Sequence, residues 1–281
     1  MPTLDAQGRT LHFLDEGSGE PALLLHSGGL SSRQWRGLAS QLRQTHRVLV
    51  PDLLGYGGSS RLEPGAQFHF RDDVEMLAAL LDTLEGPVHL VGHSYGGLLA
   101  LQLGLRGPER VRSLALFEPV AFGVLHGAAA ESAGAAMDAA EATEMHRLAS
   151  DDKGAGGGEA WMEGFVDWWQ GAGTWRALPE PSRQAFLASG RKTFLEVVSL
   201  LADRTPAERY ASLTAPALLL VGERSPALEH RVCARLAQAL AHARLEVIPK
   251  AGHMGPLTHM SLVNALIAAH LRPSPKTVEV L

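Results

Sequence analysis

Residues 88–98 read VHLVGHSYGGL, an apolar run, then a serine between glycines, then the start of another apolar run. The first run predicts a buried β-strand, and the residues after Ser94 predict the start of a helix. Glycines at 92 and 96 allow a sharp turn there, because a Cβ atom at either position would collide with the strand or the helix. This G-x-S-x-G pattern predicts that Ser94 is a nucleophile, exposed at the carboxyl edge of a sheet.

Strand and helix patterns alternate along most of the chain on both sides of this turn. Six apolar runs predict buried strands: Ala22–His26, Arg47–Pro51, Val88–Gly92, Ser113–Phe117, Ala217–Val221 and Arg244–Ile248. The mixed run Thr10–Asp15 predicts an outer strand. Nearly continuous apolar runs are typical of strands covered on both faces by helices. The predicted fold class is therefore α/β, with a mostly parallel sheet and flanking helices.

The alternation stops between about Val120 and Pro206, where strand-like runs are absent. This region has an alanine-rich stretch (128–142), a glycine loop (154–158) and four of the five tryptophans, Trp161, Trp168, Trp169 and Trp175. We expect residues 121–206 to form a helical cap inserted into a core domain of residues 1–120 and 207–281. A cap over the carboxyl edge of the sheet would bury the tryptophans and leave a pocket beneath it.

Composition excludes several classes of function. The 281 residues carry a net charge of −5, which gives no electrostatic case for binding nucleic acid or an anionic membrane. The single cysteine, Cys233, cannot form a disulfide within the chain or a cysteine-based zinc site. No secretory signal or membrane-spanning run is recognised, so we expect a cytoplasmic protein that acts on a small molecule. No metal or cofactor is expected, since no H-E-x-x-H spacing or phosphate-binding loop is present. Nothing indicates an oligomeric state.

A serine nucleophile needs a base and an oxyanion site, and the sequence offers candidates for both. His253 follows the last predicted strand, in the loop Gly252-His253-Met254. An unperturbed histidine pKa of about 6.5 suits proton transfer near neutrality. The oxyanion would be held by two amides. We assign these to Tyr95, directly after the nucleophile, and to Gly28 in the turn after the first buried strand.

Together these features resemble the α/β-hydrolase fold superfamily over essentially the whole chain. The residues that carry the resemblance are His26-Ser27-Gly28-Gly29, the segment 52–60 (DLLGYGGSS), the Ser94 turn and Gly252-His253. The resemblance implies the chain order Ser, acid, His and an eight-stranded, mostly parallel sheet. It also implies a helical cap inserted after the sixth strand.

The acid departs from the pattern of many family members, in which it follows the seventh strand. Ser225 stands at that position here, and a serine cannot stabilise an imidazolium by charge. Glu118 is the favoured replacement, because it ends the strand beside the nucleophile strand, about 4.8 Å away. Pro119 predicts an extended backbone at Glu118. Glu223 is the alternative acid, and Asp203 and Glu229 are further ones.

These residues predict a serine hydrolase that cleaves a small carboxylic ester, or a related acyl compound, through a Ser-His-Glu triad. Some branches, such as haloalkane dehalogenases, also place the acid after the sixth strand, but their nucleophile is Asp, so Ser94 argues against dehalogenation. The alternatives are a carbon–carbon bond hydrolase, a thioesterase or a lactonase with the same triad, or a non-catalytic protein that binds a small ligand. The tryptophans favour a substrate that is apolar or aromatic in part.

Overall fold

A computed structural model describes residues 1–63, 65–132, 134, 136–150 and 156–272. Several predicted features extend beyond these residues. Positions 133 and 135 of the alanine-rich stretch, Gly154 and Ala155 of the glycine loop, and residues 273–281 of the predicted core domain lie outside the described residues.

Eight strands form one sheet in the order β1-β2-β4-β3-β5-β6-β7-β8. They are Thr3–Ala6 (β1), Arg9–Glu16 (β2), Glu20–Leu25 (β3), His46–Pro51 (β4), Val88–His93 (β5), Val111–Phe117 (β6), Ala217–Gly222 (β7) and Ala243–Ile248 (β8). Only β2 runs antiparallel to its neighbours, and the other pairings are parallel. The predicted α/β class with a mostly parallel eight-stranded sheet is confirmed. The short outer strand β1 was not predicted from the sequence.

The prediction that all six apolar runs are covered on both faces is wrong for β8. This strand ends the sheet order and pairs only with β7. Its residues Leu245 and Val247 are 38% and 51% exposed, whereas every residue of β5 and β7 is buried. An edge strand lacks one neighbour, so apolar side chains alone do not place it in the interior.

Helices pack on both faces of the sheet. The described helices are Arg36–Leu42 (α1), Phe70–Asp82 (α2), Tyr95–Arg106 (α3), Ala128–Ser132 (α4), Ala139–Ala149 (α5), Glu159–Gln170 (α6), Thr174–Ala177 (α7), Glu180–Ala188 (α8), Gly190–Ala202 (α9), Ala227–Ala239 (α10), Gly255–Thr258 (α11) and Met260–Leu271 (α12). Short 3₁₀ turns lie at Ser32–Trp35, Pro108–Arg110, Phe122–Leu125 and Ala207–Ser212. No helix among the described residues has the length and hydrophobicity needed to cross a bilayer.

Side chains along the central strands alternate between two apolar clusters, one on each face of the sheet. On one face Leu24 and Val91 pack with residues of α1 and α12. On the other face Leu23 and Leu90 pack with residues of α2, α3 and α10. This alternation follows from the two-residue period of a strand and explains why the strand sequences are apolar throughout.

The chain between β6 and β7 contains α4 to α9, and we call these helices the insert. Its described residues form no strand. Trp161 and Trp175 are buried, and the Trp161 ring stacks on Phe165 with centroids 5.0 Å apart. The Trp161 ring also meets the Phe194 ring edge-on at 5.5 Å. Trp161 therefore packs α6 against α9. Trp168 and Trp169 are only half-buried, so the expectation that this region buries all four tryptophans is wrong.

Candidate active site

Ser94 lies between the last residue of β5 and the first residue of α3, with φ 53° and ψ −118°. A non-glycine residue at positive φ is strained, and such residues cluster at functional sites. Two glycines make this turn sterically possible. A Cβ atom on Gly92 would lie 2.4 Å from the Gly96 carbonyl oxygen, and one on Gly96 would lie 2.3 Å from the Leu25 carbonyl oxygen.

A chain of two hydrogen bonds joins Ser94, His253 and Glu118. His253 Nε2 accepts a hydrogen bond from the Ser94 hydroxyl at 3.0 Å, and His253 Nδ1–H donates to Glu118 Oε2 at 2.6 Å. All three residues are buried. The prediction that Ser94 is exposed is wrong, because only 7% of its surface is accessible and it lies at the wall of a cavity rather than at the open surface. His253 lies in the loop between β8 and α11, as its sequence position predicts. The structure thus brings together the three residues that the sequence predicts as a triad.

Glu118 follows β6 and is held by one group at the end of β7 and one in the turn after it. Its Oε1 atom accepts hydrogen bonds from the Gly222 amide at 2.6 Å and from the Ser225 hydroxyl at 2.5 Å. Ser225, which stands where many family members have the acid, therefore orients the acid here. The prediction of an extended backbone at Glu118 is wrong, since its φ is 44°. Its amide donates to Leu220 O at 2.9 Å, and these tertiary contacts outweigh the preference set by Pro119.

The alternative acids do not contact His253 in this structure. Glu223 is exposed, and its carboxylate accepts the Lys250 amide at 2.7 Å. Asp203 accepts the Thr205 hydroxyl. Glu229 is fully buried, and no described donor reaches its carboxyl oxygens. Burial, followed by the nearby Glu118 carboxylate, raises the pKa of Glu229 well above its ordinary value.

Aromatic neighbours fix the His253 backbone and ring. His93 Nε2–H donates to the His253 carbonyl oxygen at 2.8 Å, while His93 Nδ1 accepts from the Gln34 side-chain amide at 3.0 Å. Burial, and then the proximity of His253, lower the pKa of His93 well below 6.5. His93 is therefore a neutral ring that holds the His253 backbone through this hydrogen bond. Trp169 of α6 stacks on the His253 ring with centroids 4.0 Å apart. Trp169 therefore bounds the site from the insert side.

The predicted oxyanion residues, Gly28 and Tyr95, line the same cavity as Ser94 and His253. Tyr95 is the first residue of α3, and the first amides of a helix lack acceptors within it. The turn that carries Gly28 is anchored by His26, whose Nδ1–H donates to Ser27 O at 2.8 Å and whose Nε2 accepts the Leu53 amide at 3.0 Å. Burial lowers the pKa of His26 to about 4, which keeps this ring neutral.

The cavity lies between the core and the insert, with about 700 Å³ of space free of atoms, solvent at its mouth included. Its walls are largely apolar. The insert contributes Met145, Leu148, Phe165, Val166, Trp169, Gln170, Phe186, Thr193, Glu196, Val197, Leu200 and Leu201. No described lining residue is an arginine or a lysine. Among the described residues, no group of three or more His, Cys, Asp or Glu side chains could hold a metal ion.

Comparison with known proteins places this architecture in a family. Residues 21–260 match the family model described as alpha/beta hydrolase fold. The chain belongs to the α/β-hydrolase family. The sequence resemblance is therefore confirmed at the level of the family and the fold.

Relatives of this α/β hydrolase differ in their named activities. It is 26% identical to an (E)-2-((N-methylformamido)methylene)succinate hydrolase of Acinetobacter baylyi, over 96% of this chain and 97% of that protein. It is 34% identical to a cis-3-alkyl-4-alkyloxetan-2-one decarboxylase of Shewanella oneidensis, over 42% of this chain and only 38% of that protein. A thermophilic esterase from Thermogutta terrifontis is 25% identical, with a TM-score of 0.69, over 96% of both chains. Other relatives are named as haloalkane dehalogenases, 2-hydroxymuconate semialdehyde hydrolases and an enol-lactonase.

A buried ionic cluster in this hydrolase joins the insert to the core, and no pattern in the sequence indicates it. It consists of Asp73 on α2 with Lys192 and Glu196 on α9, each no more than 4% exposed. Lys192 Nζ donates to Asp73 Oδ2 at 2.9 Å and to Glu196 Oε1 at 2.5 Å. The spacing of Lys192 and Glu196 is that of an ordinary i, i+4 surface pair. Only the position of α9 reveals that the pair is buried.

The cluster predicts a pH dependence of stability. Burial is the main cause that raises the Glu196 pKa from 4.5 to about 7, against the opposing charge of Lys192. The folded state therefore favours the protonated form of Glu196. The stabilisation that this form gives is present in full below about pH 4.5, the unfolded-state pKa, and is lost as the pH rises through the folded-state pKa of about 7. Glu196→Gln removes this titration. Between pH 4.5 and 7.5 the free energy of unfolding of the wild type should fall relative to the variant by about 3 kcal/mol, measured by urea unfolding. Parallel pH curves would contradict the assignment.

Proposed function

We propose that this protein is a serine hydrolase that cleaves neutral carboxylic esters, or related acyl compounds, through Ser94, His253 and Glu118. The observation that carries the proposal is the continuous hydrogen-bonded chain from the Ser94 hydroxyl through both nitrogens of His253 to Glu118. A serine, a base within hydrogen-bond reach and a third group that orients the base together constitute an activated nucleophile.

In this mechanism His253 Nε2 takes the Ser94 proton while Oγ attacks the carbonyl carbon of the ester. The developing oxyanion accepts hydrogen bonds from the amides of Gly28 and Tyr95. Glu118 holds the proton on His253 Nδ1 and stabilises the imidazolium by its charge. His253 then returns the proton to the leaving alkoxide, which departs as an alcohol. Water attacks the acyl-enzyme with the same base, and the acid is released with Ser94 restored.

The cavity favours a neutral acyl group. Its described walls carry one carboxylate, Glu196, and no cationic side chain. Lys192 is nearby but already pairs with Asp73 and Glu196, so it has no free charge for a substrate carboxylate. The Acinetobacter relative is named for a succinate, which carries carboxylates. In this protein the described lining of the pocket offers no cationic side chain to pair with such a substrate. Apolar or aromatic esters and lactones are neutral and fit walls of this kind.

We also propose that residues 121–206 act as a cap. The support is that helices α5, α6, α8 and α9 supply more than half of the cavity wall and that Trp169 covers the His253 ring. A substrate bound next to Ser94 would contact the insert on one side and the core on the other.

A matched pair of substrates tests the proposed specificity. We expect p-nitrophenyl butyrate to be hydrolysed with a kcat/KM at least ~100-fold higher than the mono-p-nitrophenyl ester of succinic acid. The two acyl chains have the same length, and the second carries a carboxylate that would be buried without a partner at a cost of several kcal/mol. Equal or faster hydrolysis of the anionic ester would contradict the neutral specificity. Failure to hydrolyse either ester, or others of shorter and longer acyl chains, would contradict the esterase assignment itself.

A further inference from the structure

A chain of hydrogen bonds links the Gly28–Gly29 turn of the core to helix α9 of the insert. The Gly29 amide donates to Tyr56 Oη at 2.9 Å, and the Tyr56 hydroxyl donates to Glu196 Oε2 at 2.9 Å. The Tyr56 hydroxyl also lies 3.0 Å from Thr193 Oγ1 on the same helix. Tyr56 is 4% exposed, so water does not compete for these bonds. The backbone next to the predicted oxyanion donor is therefore tied to the insert.

The insert also occupies the space beside both glycines of this turn. A Cβ atom on Gly28 would lie 2.6 Å from Glu196 Oε2. One on Gly29, whose φ is 74°, would lie 2.9 Å from the Phe186 ring. The Phe186 ring of α8 and the Glu196 carboxyl group of α9 therefore fill the space that side chains at positions 28 and 29 would need, and they pack directly on the turn.

Glu196 is itself held at both carboxyl oxygens. Oε1 accepts from Lys192 Nζ, which also donates to Asp73 Oδ2, and Asp73 Oδ1 accepts the Leu54 amide of the core at 2.9 Å. The orientation of the Glu196 carboxyl group is therefore fixed from the core side through Asp73. On the other side of the turn, Gln34 Oε1 accepts the Ser27 amide at 2.9 Å. The turn is therefore held by Gln34 of the core on one side and, through Tyr56, by Glu196 of the insert on the other.

We propose that Tyr56 and Glu196 are positioning residues for the oxyanion site, which is completed only when α9 is packed against the core. The Tyr56 hydroxyl accepts a hydrogen bond from the Gly29 amide and thereby positions the adjacent Gly28 amide, the proposed oxyanion donor, while Glu196 fixes the Tyr56 hydroxyl. The inference rests on the proposed acyl transfer at Ser94. It adds that the insert supplies catalytic geometry as well as a pocket wall.

The expected size of the effect follows from what oxyanion donors contribute. Removal of one such donor lowers kcat by about 10²- to 10³-fold, because the donor must lie about 2.7–3.1 Å from the oxyanion. Tyr56→Phe leaves the Gly28 amide in place but releases the neighbouring Gly29 amide. We therefore expect kcat for p-nitrophenyl butyrate to fall by about 10- to 100-fold while KM changes by less than about threefold.

Tyr210→Phe is the matched control, because it removes another buried tyrosine hydroxyl. Tyr210 is fully buried, and its hydroxyl accepts from Gln102 at 3.5 Å, outside the cavity lining. Titration with a fluorophosphonate gives the concentration of competent sites in each variant, so that misfolded protein is not counted. We expect Tyr210→Phe to keep the wild-type kcat per competent site.

A second measurement separates oxyanion geometry from general destabilisation. In an alkyl trifluoromethyl ketone, Ser94 Oγ would add to the carbonyl carbon, its proton would pass to His253 Nε2, and the carbonyl oxygen would become an oxyanion. The inhibition constant of this ketone should rise in Tyr56→Phe by about the factor by which kcat/KM falls. The inhibition constant of the corresponding trifluoromethyl alcohol, which cannot be attacked, should stay unchanged.

The outcomes distinguish the two proposals. If wild type hydrolyses esters but Tyr56→Phe keeps its kcat and its affinity for the ketone, the positioning role is wrong and the proposed function stands. The positioning role is also wrong if the ketone and the alcohol weaken equally. If the wild type neither hydrolyses esters nor binds the ketone more tightly than the alcohol, the proposed function fails and the positioning role fails with it.

Discussion

Replacement of Ser94 by alanine is expected to lower kcat/KM for a neutral ester by about 10⁴- to 10⁶-fold. The hydroxyl is the only group of the proposed triad that forms a bond to the substrate, and alanine removes it without adding bulk. His253 and Glu118 would remain hydrogen-bonded to each other, so the site would keep its shape. Initial rates with p-nitrophenyl butyrate, at enzyme concentrations high enough to detect the residual rate, measure the loss.

Ser212→Ala provides the control for this experiment. Ser212 is exposed, and its hydroxyl donates only to the Arg209 carbonyl, at 3.1 Å, in the described contacts. Its removal should leave kcat/KM unchanged. Ser94 would not be the nucleophile if Ser94→Ala, with an unchanged thermal midpoint, retained more than about a tenth of the wild-type rate, because catalysis without the nucleophile does not reach that level.

Glu118→Gln is expected to lower kcat by about 10³- to 10⁴-fold. The glutamine oxygen can still accept from Gly222 and Ser225, which places its amide N–H₂ against His253 Nδ1. His253 would then carry its proton on Nε2, the wrong nitrogen for accepting the Ser94 proton. The variant also lacks the charge that stabilises the imidazolium. Because glutamine has the shape of glutamate, KM for the ester should change little.

Glu223→Gln is the matched control, because it makes the same substitution at Glu223, the alternative acid predicted from the sequence. Its carboxylate accepts the Lys250 amide at the surface, so we expect kcat within about twofold of the wild type. If Glu223→Gln caused the large loss, or if Glu118→Gln caused none, the acid would have to be reassigned.

Features set by local patterns were predictable from the sequence. The strand runs, the Ser94 turn and the loop of His253 each depend on neighbouring residues: an apolar period, glycines beside a serine, or a histidine after a strand. Parallel strands also end at a common edge, so the closeness of Ser94, Glu118 and the Gly28 turn followed from topology alone. The structure has these residues at one edge, as that reasoning predicted.

Features set by tertiary packing were not predictable. Lys192 and Asp73 are 119 residues apart, and each looks like an ordinary surface charge on an amphipathic helix until α9 is packed against α2. The positive φ of Glu118 depends on bonds from β7, which no local preference contains. The exposure of Leu245 and Val247 depends on β8 being last in the sheet, and strand order is a property of the whole fold.

Covalent labelling of the wild-type protein shows whether Ser94 is an activated nucleophile. A fluorophosphonate transfers its phosphonyl group to an activated serine with loss of fluoride, and mass spectrometry of the digested protein locates the modified residue. We expect a single adduct on the peptide that contains Ser94, at a rate that falls by at least about 10²-fold in His253→Ala. If a folded protein hydrolyses esters yet carries no adduct at Ser94, or carries it on another serine, Ser94 is not the nucleophile.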